Sequence, residues 1–267
     1  MNLNTIKRAI PEPINRVLRR LLTHLNIRKS APSNQALEKV LLEKLDQHFS
    51  SALNAMYKGY PQLGFDGQSH SIDSSTRISL EKGLWLYDFC LSNKPNNCIE
   101  IGMAYGFSTL FIMAAISKLG SGHHTSIDPF QKNHWNGIGL SHALKASELG
   151  VQFTFIEERS DRASTDLARA GENFDLFFID GNHKFDDVLV DFYLYEPLCS
   201  IGGHIIFDDA NWNAIQSVIA FIRTNRPDFK EVQNVPDGWC AFQKVGVDQR
   251  NWTHFRKFPV SADSGPE

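Results

Sequence analysis

The sequence predicts an α/β fold: a doubly wound, mostly parallel sheet with helices on both faces, an antiparallel last strand and a helical cap at the N-terminal side. Three observations carry this. Between residues 98 and 209, five short apolar runs alternate with segments of helical length. That spacing belongs to strand–helix–strand units with right-handed crossovers and parallel strands. Two later runs, FKEVQNV (229–235) and WCAFQKV (239–245), are joined by Pro-Asp-Gly, a hairpin signal that makes the last strand antiparallel. Upstream of about residue 91 the pattern is helical, broken by a loop.

Taken in order, the first element is a basic amphipathic helix. Ile14, Val17, Leu18, Leu21, Leu22 and Leu25 share one face, Arg16, Arg19 and Arg20 lie elsewhere on it, and prolines at 11 and 13 suit its start. Such a helix can dock on its own domain, pack on a second copy in a homo-oligomer, make a peripheral contact with an anionic membrane, or act as a transit peptide. From Asn34 to about Tyr60 a helical stripe carries Leu37, Val40, Leu41 and Leu45; the loop PQLGFDGQSHSID follows, then a helix from about Ser79 to Leu91. The five apolar runs are CIEI (98–101), HTSID (124–128), VQFTFI (151–156), DLFFID (175–180) and HIIFDD (204–209). Helices are expected over 108–119, 137–149, 160–170, 185–198 and 213–225, and the tail after Val247 reads as irregular. The chain thus divides into a basic segment (1–33), a helical cap on the substrate side (34–78), the main α/β domain (79–247) and a tail (248–267).

Bulk properties narrow the function. A chain of 267 residues with 42% apolar content suits one large domain with a small appendage. A net charge of −3 offers no broad basic footprint for nucleic acid. The four cysteines, Cys90, Cys98, Cys199 and Cys240, form no CxxC pair, which argues against a zinc site or disulfide framework and for a reducing, cytoplasmic setting. The apolar run from Leu110 to Ile116 is too short to span a bilayer.

In an open parallel sheet, ligands bind beyond the carboxyl ends of the strands, where strand order reverses. The turn after the first run of the α/β part, EIGMAYGFST (100–109), has Gly102 for a tight bend and small residues at 104 and 106 that let a ligand approach the backbone. It contains no lysine and follows Gly-x-Ala-x-Gly, so neither a triphosphate cradle nor the GxGxxG dinucleotide turn fits. A packing turn is the plain alternative. Asp128 in SIDPF ends the next run, where an acid accepts two ribose hydroxyls or caps a turn. Turn and acid together indicate an adenosine cofactor.

HIIFDDANW (204–212) raises a sharper question, because a core strand stops at two adjacent carboxylates, Asp208 and Asp209. Asp180, in FDLFFIDGNHKFDD, ends a neighbouring run. Three converging carboxylates raise one another's pKa unless a cation intervenes, and hard oxygen ligands suit Mg²⁺, Mn²⁺ or Ca²⁺. The alternative is helix capping by Asp208, Asp209 or Asn211, worth about 1 kcal/mol each. His183, three residues after Asp180, has an imidazole suited to taking a hydroxyl proton near neutrality or orienting a substrate. Trp212 could wall the pocket or fill the core, and His134 could line it. His123, His124 and His204 open strands on the far side and read as structural.

EIGMAYGFST, SIDPF, FDLFFIDGNH and GGHIIFDD, in that order, resemble class I S-adenosylmethionine-dependent methyltransferases over about Ser79 to Val245. The subgroup resembled has an IDG(D/N)H motif and is related to cation-dependent catechol-type and macrolide-sugar O-methyltransferases. The resemblance implies a seven-stranded sheet. It implies that Glu100, Gly102, Ala104, Gly106 and Ser108 hold the methionine part of the cofactor, Asp128 the ribose, and Ser160 the adenine side, with Asp180 between cofactor and cation. It further implies a divalent cation on Asp180, Asp208 and Asp209, and catalysis by Asp180 and His183 on a small-molecule or sugar hydroxyl. Two departures stand out: Asn182 replaces a frequent Asp, and Asp209 replaces the Asn of catechol-type members. The competing readings are a nicotinamide-dependent oxidoreductase, which leaves the paired aspartates without a task, and a binding protein that keeps the fold without chemistry.

Overall fold

The computed structural model describes residues 34–258, so the basic helix read over 14–25 lies outside the described residues. Internal contacts divide the chain into one unit ending at Lys58 and another beginning at Gly59. In the first, helices α1 (Asn34–Lys44) and α2 (Gln47–Tyr57) pack on each other. The periodicity read as one helix is interrupted because Asp46 leaves helical angles, at φ −59° and ψ 151°. Phe49, Leu53 and Met56 form the buried stripe of α2, and Lys58 pairs with Glu38 at 2.9 Å.

The second unit opens with a small hairpin, β1 (Gln62–Leu63) and β2 (Ser69–His70), inside the stretch read as loop. Its turn is tied by Asp66, which accepts from the Gln68 backbone N–H at 2.9 Å and meets His70 Nε2 at 3.0 Å. So polar a hairpin leaves no apolar alternation in the sequence. Helix α3 (Leu80–Asn93) then starts at Ser79, whose hydroxyl accepts from the Lys82 N–H at 3.2 Å, a side-chain cap.

The main sheet alternates with helices: β3 (Asn97–Ile101), α4 (Phe107–Leu119), β4 (His123–Ile127), α5 (Ile138–Ser147), β5 (Gln152–Ile156), α6 (Ser160–Ala170), β6 (Phe174–Ile179), α7 (Phe185–Tyr195), β7 (Cys199–Phe207), α8 (Asn213–Asn225), β8 (Phe229–Glu231) and β9 (Cys240–Lys244). The order is β5-β4-β3-β6-β7-β9-β8, parallel except for β9, which is antiparallel to both neighbours. The last strand is therefore antiparallel as read, but it lies inside the sheet and short β8 forms the edge. Strand β7 also starts earlier than its apolar run, at Cys199. Gly202 and Gly203 disguise that start, and its pairing with β6 is irregular between Phe174 and Leu176.

Helices α3, α4 and α5 pack in succession as one layer, and α6, α7 and α8 as the other. Helix α4 is buried from Phe107 to Ile116, which explains its unbroken apolar texture. One core cluster joins Ile99, Phe177 and Ile205 of the sheet to Val188, Phe192, Val218 and Ile222 of the helices. All four cysteines are buried free thiols. No helix among the described residues is long and apolar enough to cross a membrane. Because β4 and β6 flank β3 on opposite sides, strand order reverses between β3 and β6, and the crevice opens at their carboxyl ends.

Candidate active site

A cavity of about 570 Å³ occupies that crevice, within the range of small-molecule sites. It is lined by Gly102 and Ala104 from the first turn, Asp128, Pro129, Phe130, His134 and Trp135 after β4, Arg159 and Ser160 after β5, Asp180, Gly181 and Asn182 after β6, and Asp187 and Asp191 on α7. The turn is built by close approach. Gly102 has φ +88°, and a Cβ there would stand 2.0 Å from the Asp180 carbonyl oxygen. The next two N–H groups, of Met103 and Ala104, donate to Asp128 Oδ2 at 3.1 and 2.9 Å. Phe130 N–H donates to Asp128 Oδ1 at 2.7 Å, and Gln131 Nε2 bridges Asp128 Oδ2 (3.2 Å) and the Ala104 carbonyl (2.7 Å). Asp128 thus ties the turn to the next loop, and only Oδ1 keeps an uncommitted lone pair among these bonds.

Glu100, Gly106 and Ser108 are not among the cavity's lining. The Glu100 carboxylate is fully buried and accepts from the hydroxyls of Ser108, of Thr109 at 2.5 Å and of Ser126 at 3.0 Å. It fastens the start of α4 to β3 and β4. His124 is buried beside this cluster, its Nε2 3.1 Å from Ser126 Oγ. His123 meets Thr154 at 2.8 Å, and His204 sits edge-on to Phe89. His134 lines the cavity against Trp135.

At the other side of the crevice, Asp180, His183 and Asp209 come together, one ligand atom of each lying within 4.8 Å of the others. His183 Nε2 is 3.1 Å from Asp209 Oδ2 and 3.5 Å from Asp180 Oδ1, without an aligned hydrogen bond to either. Burial pushes the Asp180 carboxyl up to about 7, against the pull of His183. Asp180 foremost, then Asp209, favour the imidazolium and push His183 up to about 10. His183 in turn holds Asp209 below its ordinary value. Trp212 is about half exposed and lies against the His183 ring, with centroids 4.9 Å apart. It walls this corner rather than filling the core.

Asp208 does not join them. Its buried carboxylate accepts from Lys82 Nζ at 2.6 Å and from the Asp209 N–H at 2.6 Å. Lys82 projects from the first turn of α3 and also lies 5.3 Å from the Trp239 ring centroid. Nothing in the sequence around Lys82 distinguishes it from a surface lysine.

Asp191 is a second residue that motif reading passed over, although its signal was present. It falls on the apolar stripe of α7 with Val188, Phe192 and Tyr195, and it is 3% exposed. Burial pushes its carboxyl up to about 6, against a hydrogen bond from Ser160. A raised acid binds its proton more tightly folded than unfolded, so its contribution to stability falls as pH climbs from about 4 through about 6. The shift corresponds to a cost of at most about 3 kcal/mol at neutrality. Asp191→Asn is accordingly expected to match the parent near pH 4 and exceed it in stability above pH 6.5, read from urea midpoints at both pH values. A parent advantage at the higher pH would show that the carboxylate stabilises the fold.

Residues 99–210 match a family described as a methyltransferase domain. No curated protein matches the sequence. Similar solved structures include the SAH-bound methyltransferase PaMTH1 of Podospora anserina, at 17% identity and a TM-score of 0.55 over 91% of this chain and 99% of that one. The O-methyltransferase TomG of Streptomyces achromogenes, in complex with SAM, aligns at 18% identity and a TM-score of 0.57, over 81% of this chain and 100% of that one. An O-methyltransferase from Bacillus cereus in complex with SAH gives 16% and 0.54, over 85% and 97%. The strand order, the position of the cavity and these likenesses give the chain the fold of class I methyltransferases.

Proposed function

We propose that the chain transfers a methyl group from S-adenosylmethionine to a hydroxyl of a small molecule or sugar, assisted by a divalent cation. The observation that carries this reading is that the Gly102 turn, Asp128 and Asp180 line one switch-point cavity, and that Asp180 also meets His183 and Asp209 in a cluster at its edge. The turn offers backbone close enough for the methionine part, Asp128 Oδ1 a remaining acceptor for the ribose, and Ser160 a boundary on the adenine side. A sulfonium methyl is already activated, so the protein must chiefly align oxygen, methyl and sulfur.

The donor set at the corner fits a hard or borderline cation such as Mg²⁺, Mn²⁺ or Ca²⁺: two carboxylates and an imidazole converge, while Lys82 occupies Asp208. Asp180 and Asp209 would hold the ion, which when bound lowers the pKa of a coordinated hydroxyl. An ion on Asp180 and Asp209 would offset the negative charge that favours the His183 imidazolium, so that the neutral ring would accept the hydroxyl's proton, and Trp212 excludes water on the outer side. Vicinal diols suit such a corner because two oxygens can replace two waters. The β1–β2 hairpin bonds to the loop that lines the cavity through Phe65 N–H and the Asn136 carbonyl, at 2.9 Å, and we assign it to covering the pocket.

Titration calorimetry with S-adenosylmethionine and with NAD tests the cofactor. Binding of the first and not the second is expected, and the reverse result overturns the reading. Methyl transfer to a panel of vicinal diols and sugars, followed by release of S-adenosylhomocysteine, is expected to stop after dialysis against EDTA and to return with Mg²⁺ or Mn²⁺. Full turnover after chelation removes the cation and leaves the methyl transfer.

A further inference from the structure

We propose that Asp191 reads the six-position of the cofactor's adenine, accepting a hydrogen bond from the exocyclic amino group. The inference rests on the adenosyl cofactor proposed above and names a recognition element for it. Asp191 lines the cavity although it is 3% exposed. Its Oδ2 lies 3.7 Å from the point where a side chain on Gly181 would begin, so it sits just beneath the loop after β6. On the other side its partner is Ser160, at the start of α6 and also on the cavity wall.

An ionised carboxylate has about four acceptor sites and no donor. Ser160 supplies one hydrogen bond, and the Ser160 carbonyl is turned to the Tyr195 hydroxyl at 2.8 Å. A buried carboxylate with spare acceptor capacity, facing a ligand cavity, calls for a donor from the ligand. Adenine carries such a donor at its six-position, whereas a six-oxo purine presents an acceptor there and is repelled. Of the other acids on the wall, Asp128 is held by the Gly102 turn and loop with its one remaining acceptor assigned to the ribose, Asp187 accepts from Asn182 Nδ2 at 2.6 Å, and Asp180 belongs to the His183 corner. Asp191 is therefore the acid on the Ser160 side left to discriminate between bases.

The test is calorimetric and uses S-adenosylhomocysteine and two analogues, one with hydrogen and one with oxygen at the six-position. With the parent protein the expected affinity order is amino, then hydrogen, then oxo. The amino compound should bind about tenfold or more tighter than the hydrogen compound and about 100-fold tighter than the oxo compound, the range in which an unmatched buried polar group discriminates. In Asp191→Asn, whose amide can donate or accept, the amino-to-oxo ratio should shrink to about threefold. Equal binding of the three compounds by the parent overturns the proposal without any variant, and so does an order in which oxo exceeds hydrogen. An Asp191→Asn protein that folds and keeps the full ratio overturns it as well. Absence of binding by all three compounds would instead remove the adenosyl cofactor itself, a distinguishable failure.

Discussion

Gly102→Ala is expected to destabilise the protein by about 2–5 kcal/mol and to weaken S-adenosylmethionine binding at least tenfold. The estimate combines two costs. A left-handed backbone costs a residue with a Cβ about 1–2 kcal/mol, and overpacking against fixed atoms adds about 1–3 kcal/mol. The added Cβ would stand 2.0 Å from the Asp180 carbonyl oxygen, 2.6 Å from its carbon and 2.9 Å from Gly181 Cα. These are backbone atoms that cannot rotate away. Either β3 and β6 separate at their carboxyl ends, or the turn abandons its bonds to Asp128, and both movements disturb the cavity. Gly120→Ala is the control. Gly120 also has positive φ, +79°, but nothing lies within 4 Å of its virtual Cβ, so only the backbone cost applies. Urea midpoints for both variants separate strain from collision. Equal, small losses would mean that the turn yields without cost.

The parts of this architecture that could be read from the sequence are those with one dominant cause. Parallel strands buried on both faces must be apolar throughout, so CIEI, DLFFID and HIIF announce themselves, and β3, β6 and β7 occupy those runs. The β1–β2 hairpin and the start of β7 were illegible because their cause is polar or glycine-based. The corner shows a subtler failure. Asp208 and Asp209 both lie past the end of β7 at Phe207, so the period-two alternation of a strand does not govern where they point. The structure sends Asp208 to Lys82, while Asp209, with φ 48°, turns toward His183. Which member faced the crevice depended on Lys82, 126 residues away in sequence, a distance no local pattern spans. Glu100 illustrates the same limit: its place in the turn motif suggested cofactor contact, whereas its register partner Ser126 and the start of α4 claim its carboxylate.

Lys82→Met should cost about 3–5 kcal/mol, the loss found when one partner of a buried ion pair is removed and the other stays charged. Lys82 and Asp208 have side chains only 17% and 7% exposed, at 2.6 Å. Without the ammonium, Asp208 keeps the Asp209 N–H at 2.6 Å but faces two further carboxylates nearby. If the cost arises from the stranded charge, then Lys82→Met with Asp208→Asn should recover most of the stability, because a neutral pair needs no counter-charge. Lost packing of the lysine stem on Trp239 would instead persist in the double variant, so the cycle separates the two causes. The charge argument makes a further demand. Saturating Mn²⁺ should raise the melting temperature of Lys82→Met more than that of the parent, because the single variant has one more carboxylate free to share the ion. A single variant within 1 kcal/mol of the parent would show that Asp208 finds solvent or a proton readily. The lysine would then be incidental to the way this corner tolerates three aspartates.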